Sequence, residues 1–353
     1  MKKRISITII LGALIGAAQL TAAEKWEGTD NFSNNSKWRN LVKGAGISGA
    51  AKLSIQGGKV IFDALVPSSK NNTAAFWGWG RPSALVRVPA NQSWQMSVEA
   101  SFPESAPEAG IDAARLGIIV FATEKINRAV GCLLGAGYTG IGNALSESIK
   151  VETSMIGTYG SAFIPEDEEL ISAAPRAYRI QFRHNALIRE DKFLIQNADT
   201  DEILYQRTSD SPLHTFSWCG VGLGMEVEKN ARWPGSDSNM TLDNWSLMAF
   251  TPDPINLNSK SSSFRGTAYS VAVTSLGMTS ASLTGTVALT VGSASATLPI
   301  TGSIDKNEYF ALTAKGTGAN KGFGCALLYD VATGTYRPSK NTITAPKQKA
   351  IKF

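Results

Sequence analysis

The residues best suited to binding chemistry in this sequence are aromatic. The run Phe76-Trp-Gly-Trp79 is followed by Arg81, and the alternation of a β-strand places Trp77 and Trp79 on one side with a glycine between them. Aromatic faces stack on the apolar C–H surface of a sugar ring, and the glycine lets a ligand approach. We therefore predict that Trp77, Trp79 and Arg81 bind a ligand. The alternative, which the sequence leaves open, is that both tryptophans fill the core of a β-sandwich.

One further tryptophan is a candidate for ligand contact. It lies in Arg232-Trp233-Pro-Gly235, and the proline and glycine predict a loop. A ring in a loop has less reason to fill a core than a ring in a strand, so we expect Trp233 to contact the ligand. Four other tryptophans are expected in the core: Trp38, Trp94, Trp218 and Trp245.

Two acidic residues allow hydrolysis as an alternative chemistry. Glycoside cleavage needs two carboxyl groups roughly 5–9 Å apart, and Glu226 and Glu228 would share one face of a strand at about that separation. An exposed sheet face that carries two acids explains the same pattern. Neither Gly-x-Ser-x-Gly nor a Walker loop is present in the sequence. Glu226 and Glu228 are weak catalytic candidates, and we expect a protein that is not an enzyme.

Metal chemistry has less support in the sequence. No Cys/His spacing of a zinc site is present, and no metal ligand is predicted. The acidic run Glu166–Glu169 and the turn with Asp199 and Asp201 have the oxygen ligands that calcium prefers, without the spacing of an EF-hand. A solvated loop explains both stretches, so no cofactor is expected and calcium stays an open alternative.

The three cysteines are Cys132, Cys219 and Cys325. An odd number permits at most one disulfide within the chain, and Cys132 with Cys219 is the favoured pair because both lie in the same predicted domain. Buried free thiols are the equal alternative.

The first 23 residues have the pattern of an export signal. Lys2, Lys3 and Arg4 precede the apolar stretch 5–20, and small residues follow before Glu24. Removing this segment takes away three of 34 Lys and Arg and no acid, which lowers the formal net charge from +5 to +2. We expect an exported protein that is periplasmic, at the cell surface or extracellular.

The nearly neutral charge of the remaining chain disfavours nucleic acid and anionic lipid as partners. Lys347, Lys349 and Lys352 form the one obvious basic cluster, which a solvated edge strand explains. No later apolar run reaches the roughly 18 residues of a membrane-spanning helix, so no membrane span is expected.

Short runs rich in Val, Ile, Phe and Trp, punctuated by Gly, Asn, Ser and Pro, predict an all-β protein. The segment 240–250 alternates around Trp245 and is expected to close the first domain, 24–250, by pairing with the beginning of the chain. A linker rich in Pro, Ser and Asn covers 251–263. A second, smaller β domain is predicted over 264–353, where small residues replace large aromatics.

The first domain resembles the concanavalin A-like lectin/glucanase superfamily, and in particular the laminin-G-like modules of secreted bacterial proteins. The resemblance rests on Asp30-Asn-Phe32 with Trp38 near the start, on the strand 93–102, and on the closing Leu242-Asp-Asn-Trp245. It implies a two-sheet jelly roll, and many members bind or cleave carbohydrate on the concave sheet. The Glu-x-Asp-x-(x)-Glu strand of the family's glucanases has no match here. The second domain resembles no known family.

The prediction is therefore a secreted, non-catalytic, lectin-like protein that binds a polysaccharide or glycan, with an accessory β domain for attachment or partner binding. One alternative is a glycoside hydrolase or lyase of the same fold. The other is a structural or adhesive envelope protein. Burial of Trp77 and Trp79 between sheets would favour the last of these, and exposure would favour the first.

Overall fold

The protein is described by a computed structural model that is built almost entirely of β-strands. The described residues are 26–40, 52–63, 73–81, 84–101, 114–121, 129–136, 149–156, 164–171, 177–210, 218–227, 241–280, 282–305 and 309–353. Within these ranges no α-helix occurs. The all-β prediction is confirmed. None of the described residues forms a helix long and apolar enough to cross a membrane.

Among the residues described above, seventeen strands precede residue 250. They are β1 (Gly28–Asp30), β2 (Trp38–Asn40), β3 (Lys52–Gln56), β4 (Lys59–Asp63), β5 (Thr73–Arg81), β6 (Ala84–Leu85), β7 (Val88–Pro89), β8 (Trp94–Ser101), β9 (Ala114–Phe121), β10 (Ala129–Ala136), β11 (Ile149–Ile156), β12 (Ile164–Ile171), β13 (Ala177–Asn185), β14 (Glu190–Asn197), β15 (Ile203–Asp210), β16 (Trp218–Val227) and β17 (Thr241–Ala249).

In the described ranges after residue 250, nine further strands follow. They are β18 (Lys260–Phe264), β19 (Thr267–Thr279), β20 (Ser282–Val291), β21 (Ala294–Ile304), β22 (Tyr309–Lys315), β23 (Gly324–Asp330), β24 (Thr335–Tyr336), β25 (Thr342–Thr344) and β26 (Ile351–Lys352).

The first seventeen strands form two antiparallel sheets that pack as a jelly-roll sandwich. The first sheet has the order β15-β14-β13-β8-β17-β4-β3, with β1 also paired to β17. The second has the order β12-β11-β10-β9-β16-β5-β2, with β6 beside β5 and β7 beside β16. Runs of consecutive strands, such as β13 to β15 and β9 to β12, pair with their neighbours in the sequence. The rest of each sheet depends on pairing between distant segments, such as β8 with β17 and β9 with β16.

The central strand of the first sheet shows why these residues form strands. Along β8 every second side chain is buried, from Trp94 through Met96 and Val98 to Ala100, and the residues between them are half-buried on the outer face. Alternation of this kind matches the pleat of a strand with one face on a core. The core that results joins residues of both sheets.

The predicted closing strand pairs with the beginning of the chain. Residues of β1 lie opposite β17, with Gly28 facing Leu247 and Asp30 facing Trp245. This pairing joins segments more than 200 residues apart in the sequence, and it confirms the expectation for 240–250.

The strands β18 to β26 form a third, separate sheet with its own buried core, so the expected second β domain is present. The two domains are in contact. Ala186 and Leu187, in the turn after β13, are fully buried in the core cluster of the third sheet. The hydroxyl of Ser93 accepts a hydrogen bond from the Ala186 amide at 3.1 Å and donates to the Met278 sulfur at 3.6 Å.

A buried polar pair lies at the same end of the sandwich. His184 and Asp191 are almost completely buried, with 2.7 Å between Nδ1 and Oδ1. The other ring nitrogen lies 2.7 Å from the carbonyl oxygen of Ala90, so it must carry a proton. Both ring nitrogens are hydrogen-bonded, which is the condition for burying a polar side chain without a large free-energy cost.

Cys219 and Cys325 are free, buried thiols. For Cys219 the structure therefore agrees with the alternative of a buried free thiol, and not with a disulfide. Burial raises the pKa of Cys219 well above its usual value, and the nearby charge of Asp191 acts in the same direction. Burial also raises the pKa of Cys325, to about 11. Both thiols are therefore protonated at neutral pH. The side chain of Cys132 lies outside the described residues.

Candidate functional site

The structure places Trp77 and Trp79 in the sandwich core. Their exposed fractions are 7% and 5%, and both belong to the core cluster that joins the sheets. A ring this deeply buried offers no face to a sugar, so the core alternative is the one that the geometry favours. The reason is tertiary, because this face of the second sheet packs on the first sheet, where Trp245 of β17 lies 4.2 Å from Trp79 between ring centroids. The neighbouring strand β2 sets Trp38 beside both rings, at 6.3 and 5.3 Å between centroids.

The other sequence candidates are not brought together in the described part of the chain. Arg81 is the last residue of β5 and Glu226 lies in β16, but neither side chain is among those described. Trp233 and Glu228 lie outside the described residues. Ligand contact by Arg81 and Trp233, and catalysis by Glu226 and Glu228, stay predictions.

A polar cleft opens where the beginning of the chain meets the closing strand. We call it the β1–β17 cleft, and its volume is about 500 Å³. It is lined by Thr29, Asp30, Asn31, Ser33, Asn34, Ser36, Lys37, Asn244, Trp245 and Ser246. Seven of these residues belong to β1 and the loop that follows it, and three belong to β17.

Asp30 organises the loop that forms one wall of this cleft. Its Oδ1 accepts a hydrogen bond from the Phe32 amide at 2.8 Å, and its Oδ2 accepts one from the Trp38 indole at 3.0 Å. Phe32 is fully buried and has a φ of 52°, which is unusual for a residue with a large side chain. The two hydrogen bonds and the burial of the ring hold this conformation. Both oxygens of the Asp30 carboxylate are thus occupied.

Two asparagines in the same loop present donors to the cleft. Oδ1 of Asn31 accepts the Ser33 amide at 3.3 Å, and Oδ1 of Asn34 accepts the Ser36 amide at 3.0 Å. These are side-chain turns, which fix the orientation of each amide group. Neither Nδ2 group has a hydrogen-bond partner among the described residues. Each side chain is therefore held in place while both of its N–H donors remain available.

Buried tryptophans pack beneath this polar wall, and we call them the tryptophan floor. Of these, Trp245 is among the residues that line the cleft. Trp79 and Trp245 lie 4.2 Å apart between ring centroids, and Trp38 packs edge-on against both at 5.3 Å. The Lys37 ammonium lies 5.2 Å above the Trp79 ring, an attractive cation–π contact. The strand β1 can approach so closely because residue 28 is glycine. A Cβ there would lie 2.6 Å from Cζ2 of Trp79.

The second wall is a β-bulge in β17. The register with β8 shifts between Asp243 and Ser246, and Asn244 has a φ of 50° within this irregularity. The side-chain amide of Asn244 donates a hydrogen bond from Nδ2 to Oε2 of Glu99 at 2.7 Å. Ser246 and Ser97 share a hydrogen bond of 2.8 Å between their hydroxyls. The bulge turns Asn244 and Ser246 towards the cleft, and β8 fixes both.

A charged group supports the bulge from behind. Glu99 also accepts a hydrogen bond from Nη2 of Arg179 at 3.3 Å, and Nη1 of Arg179 donates to Asp201. Burial lowers the pKa of Arg179, but the hydrogen bonds and charges of Asp201 and Glu99 outweigh it and raise the pKa above its usual value. The guanidinium is therefore permanently charged, and it holds the carboxylate that orients Asn244.

The charges of the cleft favour a neutral, polyhydroxylated ligand. Among its ten lining residues Asp30 is the one carboxylate and Lys37 the one cation, so their formal charges cancel. Amides and hydroxyls make up most of the remaining lining, and these groups exchange hydrogen bonds with hydroxyls in both directions. A pair of carboxyl groups for acid–base catalysis is missing from this lining.

Sequence reasoning missed the polar residues of this cleft. Asp30-Asn31-Phe32 and Leu242-Asp-Asn-Trp245 were recognised as marks of the fold, and not as a site. The available signal was that both contain an Asp-Asn pair next to an aromatic residue, at two ends predicted to meet. Within the described residues no group of three or more His, Cys, Asp or Glu could hold a metal ion, and calcium stays an untested expectation.

Comparison with known proteins leaves the chain without a family. No protein-family model matches it and no curated protein matches it. Among solved structures, the CBM2 module of the evolved Dit of Lactobacillus casei phage J-1 is 8% identical with a TM-score of 0.43, and covers 63% of this chain and 96% of its own.

Two plant lectins give similar values. The seed lectin of Lotus tetragonolobus is 10% identical with a TM-score of 0.41, covering 65% of this chain and 100% of its own. Lectin II from Ulex europaeus is 8% identical with a TM-score of 0.41, covering 63% and 97%. These values are too low to identify a site in this chain.

Proposed function

We propose that this protein is a non-catalytic carbohydrate-binding protein and that the β1–β17 cleft is its glycan site. The observation that carries the proposal is the pair of oriented amide groups of Asn31 and Asn34, whose Nδ2 donors have no partner among the described residues, in a cleft whose lining carries no net formal charge. Sugars present hydroxyls that need donors and acceptors at defined positions, and these amides are already oriented. Membership of the concanavalin A-like superfamily and export from the cytoplasm are parts of the same proposal.

The size and the rigidity of the cleft set the scale of binding. About 500 Å³ suits a ligand of one or two sugar rings. Each hydrogen bond contributes on the order of 1 kcal/mol net, since it replaces a bond to water. Little conformational entropy is lost on binding, because the turns and the contact with Glu99 already hold Asn31, Asn34 and Asn244.

The test replaces the free N–H donors while preserving the turns. In Asn31→Asp/Asn34→Asp each Oδ1 can still accept its backbone amide, but each Nδ2 becomes an oxygen. The full chain and this variant are screened against neutral glycans, and hits are measured by calorimetry. We expect the variant to lose at least tenfold in affinity with an unchanged melting temperature.

The matched control changes the same residue type elsewhere. Asn197→Asp/Asn256→Asp also keeps two Oδ1 acceptors, for the backbone amides of Asp199 and Ser275, and adds the same charge at residues that do not line the cleft. This control should bind as the unmodified chain does. Equal losses in both variants would show that added charge, and not the cleft, is responsible. Unchanged affinity in the cleft variant would disprove the site.

A structural or adhesive role is the second candidate, and the burial of Trp77 and Trp79 is the observation that favours it. The same screen separates the two functions. A folded full chain that binds no glycan would leave the structural role as the better explanation.

A further inference from the structure

The nearly neutral charge of the chain conceals two domains of opposite sign. Residues 251–353 contain ten Lys and Arg against four Asp and Glu, a formal net charge of +6. Residues 24–250 contain 21 Lys and Arg against 25 Asp and Glu, a formal net charge of −4. The C-terminal domain is thus strongly basic for its size, and averaging over the chain hides it.

The topology of the third sheet gathers four connections at one end. They are the turns at 265–266 and 292–293 and the loops at 316–323 and 345–350, and we call this set the distal end. Hydrogen bonds join them. The Gly292 amide donates to Ala268 at 2.8 Å, Gln348 donates to the Val291 carbonyl at 3.3 Å, and Asn320 donates to the Thr297 carbonyl at 3.4 Å.

The distal end lies away from the contact between the domains. Met278, which accepts the hydrogen bond from Ser93, is near the last residue of β19, and the distal turn at 265–266 precedes its first residue. A strand of 13 residues spans about 40 Å. The described residues that join the first domain to the third sheet therefore lie at the other end of β19 from the distal end.

Five cations, and no acid, occupy this end: Arg265, Lys315 at the start of its loop, Lys321, Lys347 and Lys349. All five are exposed, and none makes an ion pair with a described residue. No residue from 266 to 304 is charged, so the strands β19 to β21 bring no counter-charge. Asp305 and Asp330 lie at the opposite end, beside Tyr309. Like charges on neighbouring loops repel, and an anionic partner would relieve that repulsion.

We propose that the distal end binds an anionic polysaccharide, a chain with repeated carboxylate groups. Four of its five cations are lysines, which suit hydrated single contacts with spaced charges better than they suit fork-like contacts. No large hydrophobic side chain among the described residues of this domain is exposed, so it offers nothing to insert into a membrane. The aromatic residues nearest this end are covered: Phe323 is buried and Phe264 lies beneath Arg265. The end therefore lacks the exposed rings on which single-stranded nucleic acid stacks.

The experiment measures binding of the full chain to polygalacturonate, with dextran as the neutral polymer. We expect binding to polygalacturonate alone, and a loss of tenfold or more between about 50 and 200 mM salt, since screening weakens exposed charge pairs. The variant that replaces all five distal cations by Gln should bind polygalacturonate with at least tenfold lower affinity. The double variant Lys321→Gln/Lys347→Gln should lose less affinity for polygalacturonate than the fivefold variant. It replaces the fivefold variant in the test if that variant does not fold.

The control removes the same charge from the rest of the domain, whose five other cations are Lys260, Lys306, Arg337, Lys340 and Lys352. Their replacement by Gln should leave most of the binding intact. Equal losses in both fivefold variants would overturn a localised site, and so would binding of dextran. Tighter binding to double-stranded DNA or to anionic lipid vesicles at the same ionic strength would overturn the choice of partner. Asn31→Asp/Asn34→Asp should still bind polygalacturonate, which keeps this result independent of the cleft.

Discussion

At the scale of single residues, the cleft depends on how closely β1 approaches the tryptophan floor. Gly28 faces Leu247 across the pairing with β17 and lies against the Trp79 ring. Any side chain at position 28 must displace either the strand or the ring. The sequence contains no local sign of this requirement, because Trp79 reaches the site through the second sheet.

Gly28→Ala is expected to lower the free energy of unfolding by about 1–3 kcal/mol, the usual effect of overpacking a core. The added Cβ would lie 2.6 Å from Trp79 Cζ2, well inside van der Waals contact. Urea unfolding followed by tryptophan fluorescence measures the change. Gly277→Ala is the control, since its Cβ would meet nothing closer than 3.9 Å. Equal stability of both variants would contradict the packing described for β1.

The buried thiol of Cys325 is expected to make the stability of the protein depend on pH in the alkaline range. Burial raises the pKa of its thiol from 9.0 to about 11, so the folded state favours the protonated form. The associated stability is complete below about pH 9 and is lost as the pH rises towards about 11. We expect the urea midpoint to fall more steeply from pH 8.5 to 10.5 in the unmodified chain than in Cys325→Ala. Parallel curves would show that the thiol does not contribute.

At the scale of elements, the β17 bulge turns a pairing strand into part of a site. A regular strand would place residue 244 in the ladder with β8, whereas the register shift leaves it exposed with a positive φ. Asparagine tolerates this conformation better than most residues, and the hydrogen bond from its side chain to Glu99 stabilises it. The strand is predictable from alternation around Trp245. The bulge is not, because it depends on the partner strand.

Replacing Asn244 separates the backbone effect from the side-chain effect. Alanine is strained at a φ of 50° by roughly 1–2 kcal/mol, whereas glycine is not. We expect Asn244→Ala to unfold at lower urea concentration than Asn244→Gly, although both lose the contact with Glu99. Both should also bind glycan more weakly. If alanine proved as stable as glycine, the left-handed conformation of residue 244 would be in doubt.

At the scale of the whole molecule, the two domains share a buried contact. Leu187 leaves the sandwich to join the core of the third sheet, and Ser93 bridges Ala186 to Met278. Such a contact couples the stability of two sheets that have separate cores. The contact lies near the last residue of β19, whereas the distal turn at 265–266 precedes the first residue of that strand.

Leu187→Asp is expected to uncouple the domains. Burying the carboxylate in an apolar core without a partner would cost several kcal/mol. We therefore expect the two domains to separate at this contact, so that the carboxylate reaches water. Differential scanning calorimetry should show one transition for the unmodified chain and two for the variant. Ile188→Asp is the control, because Ile188 is already 39% exposed. Two transitions in the unmodified chain would mean that the contact does not couple the domains.

The sequence by itself determined the all-β class, the closing strand around Trp245 and the charge of each half, because alternation and composition are local properties. It did not determine which face of β5 would be covered, and only the packing of the two sheets put Trp77 and Trp79 in the core, with Trp245 of the first sheet against Trp79. The same holds for the cleft, whose Asn31 and Asn244 are 213 positions apart. Long-range pairing decides which residues meet, and a single register shift decides which of them reach solvent.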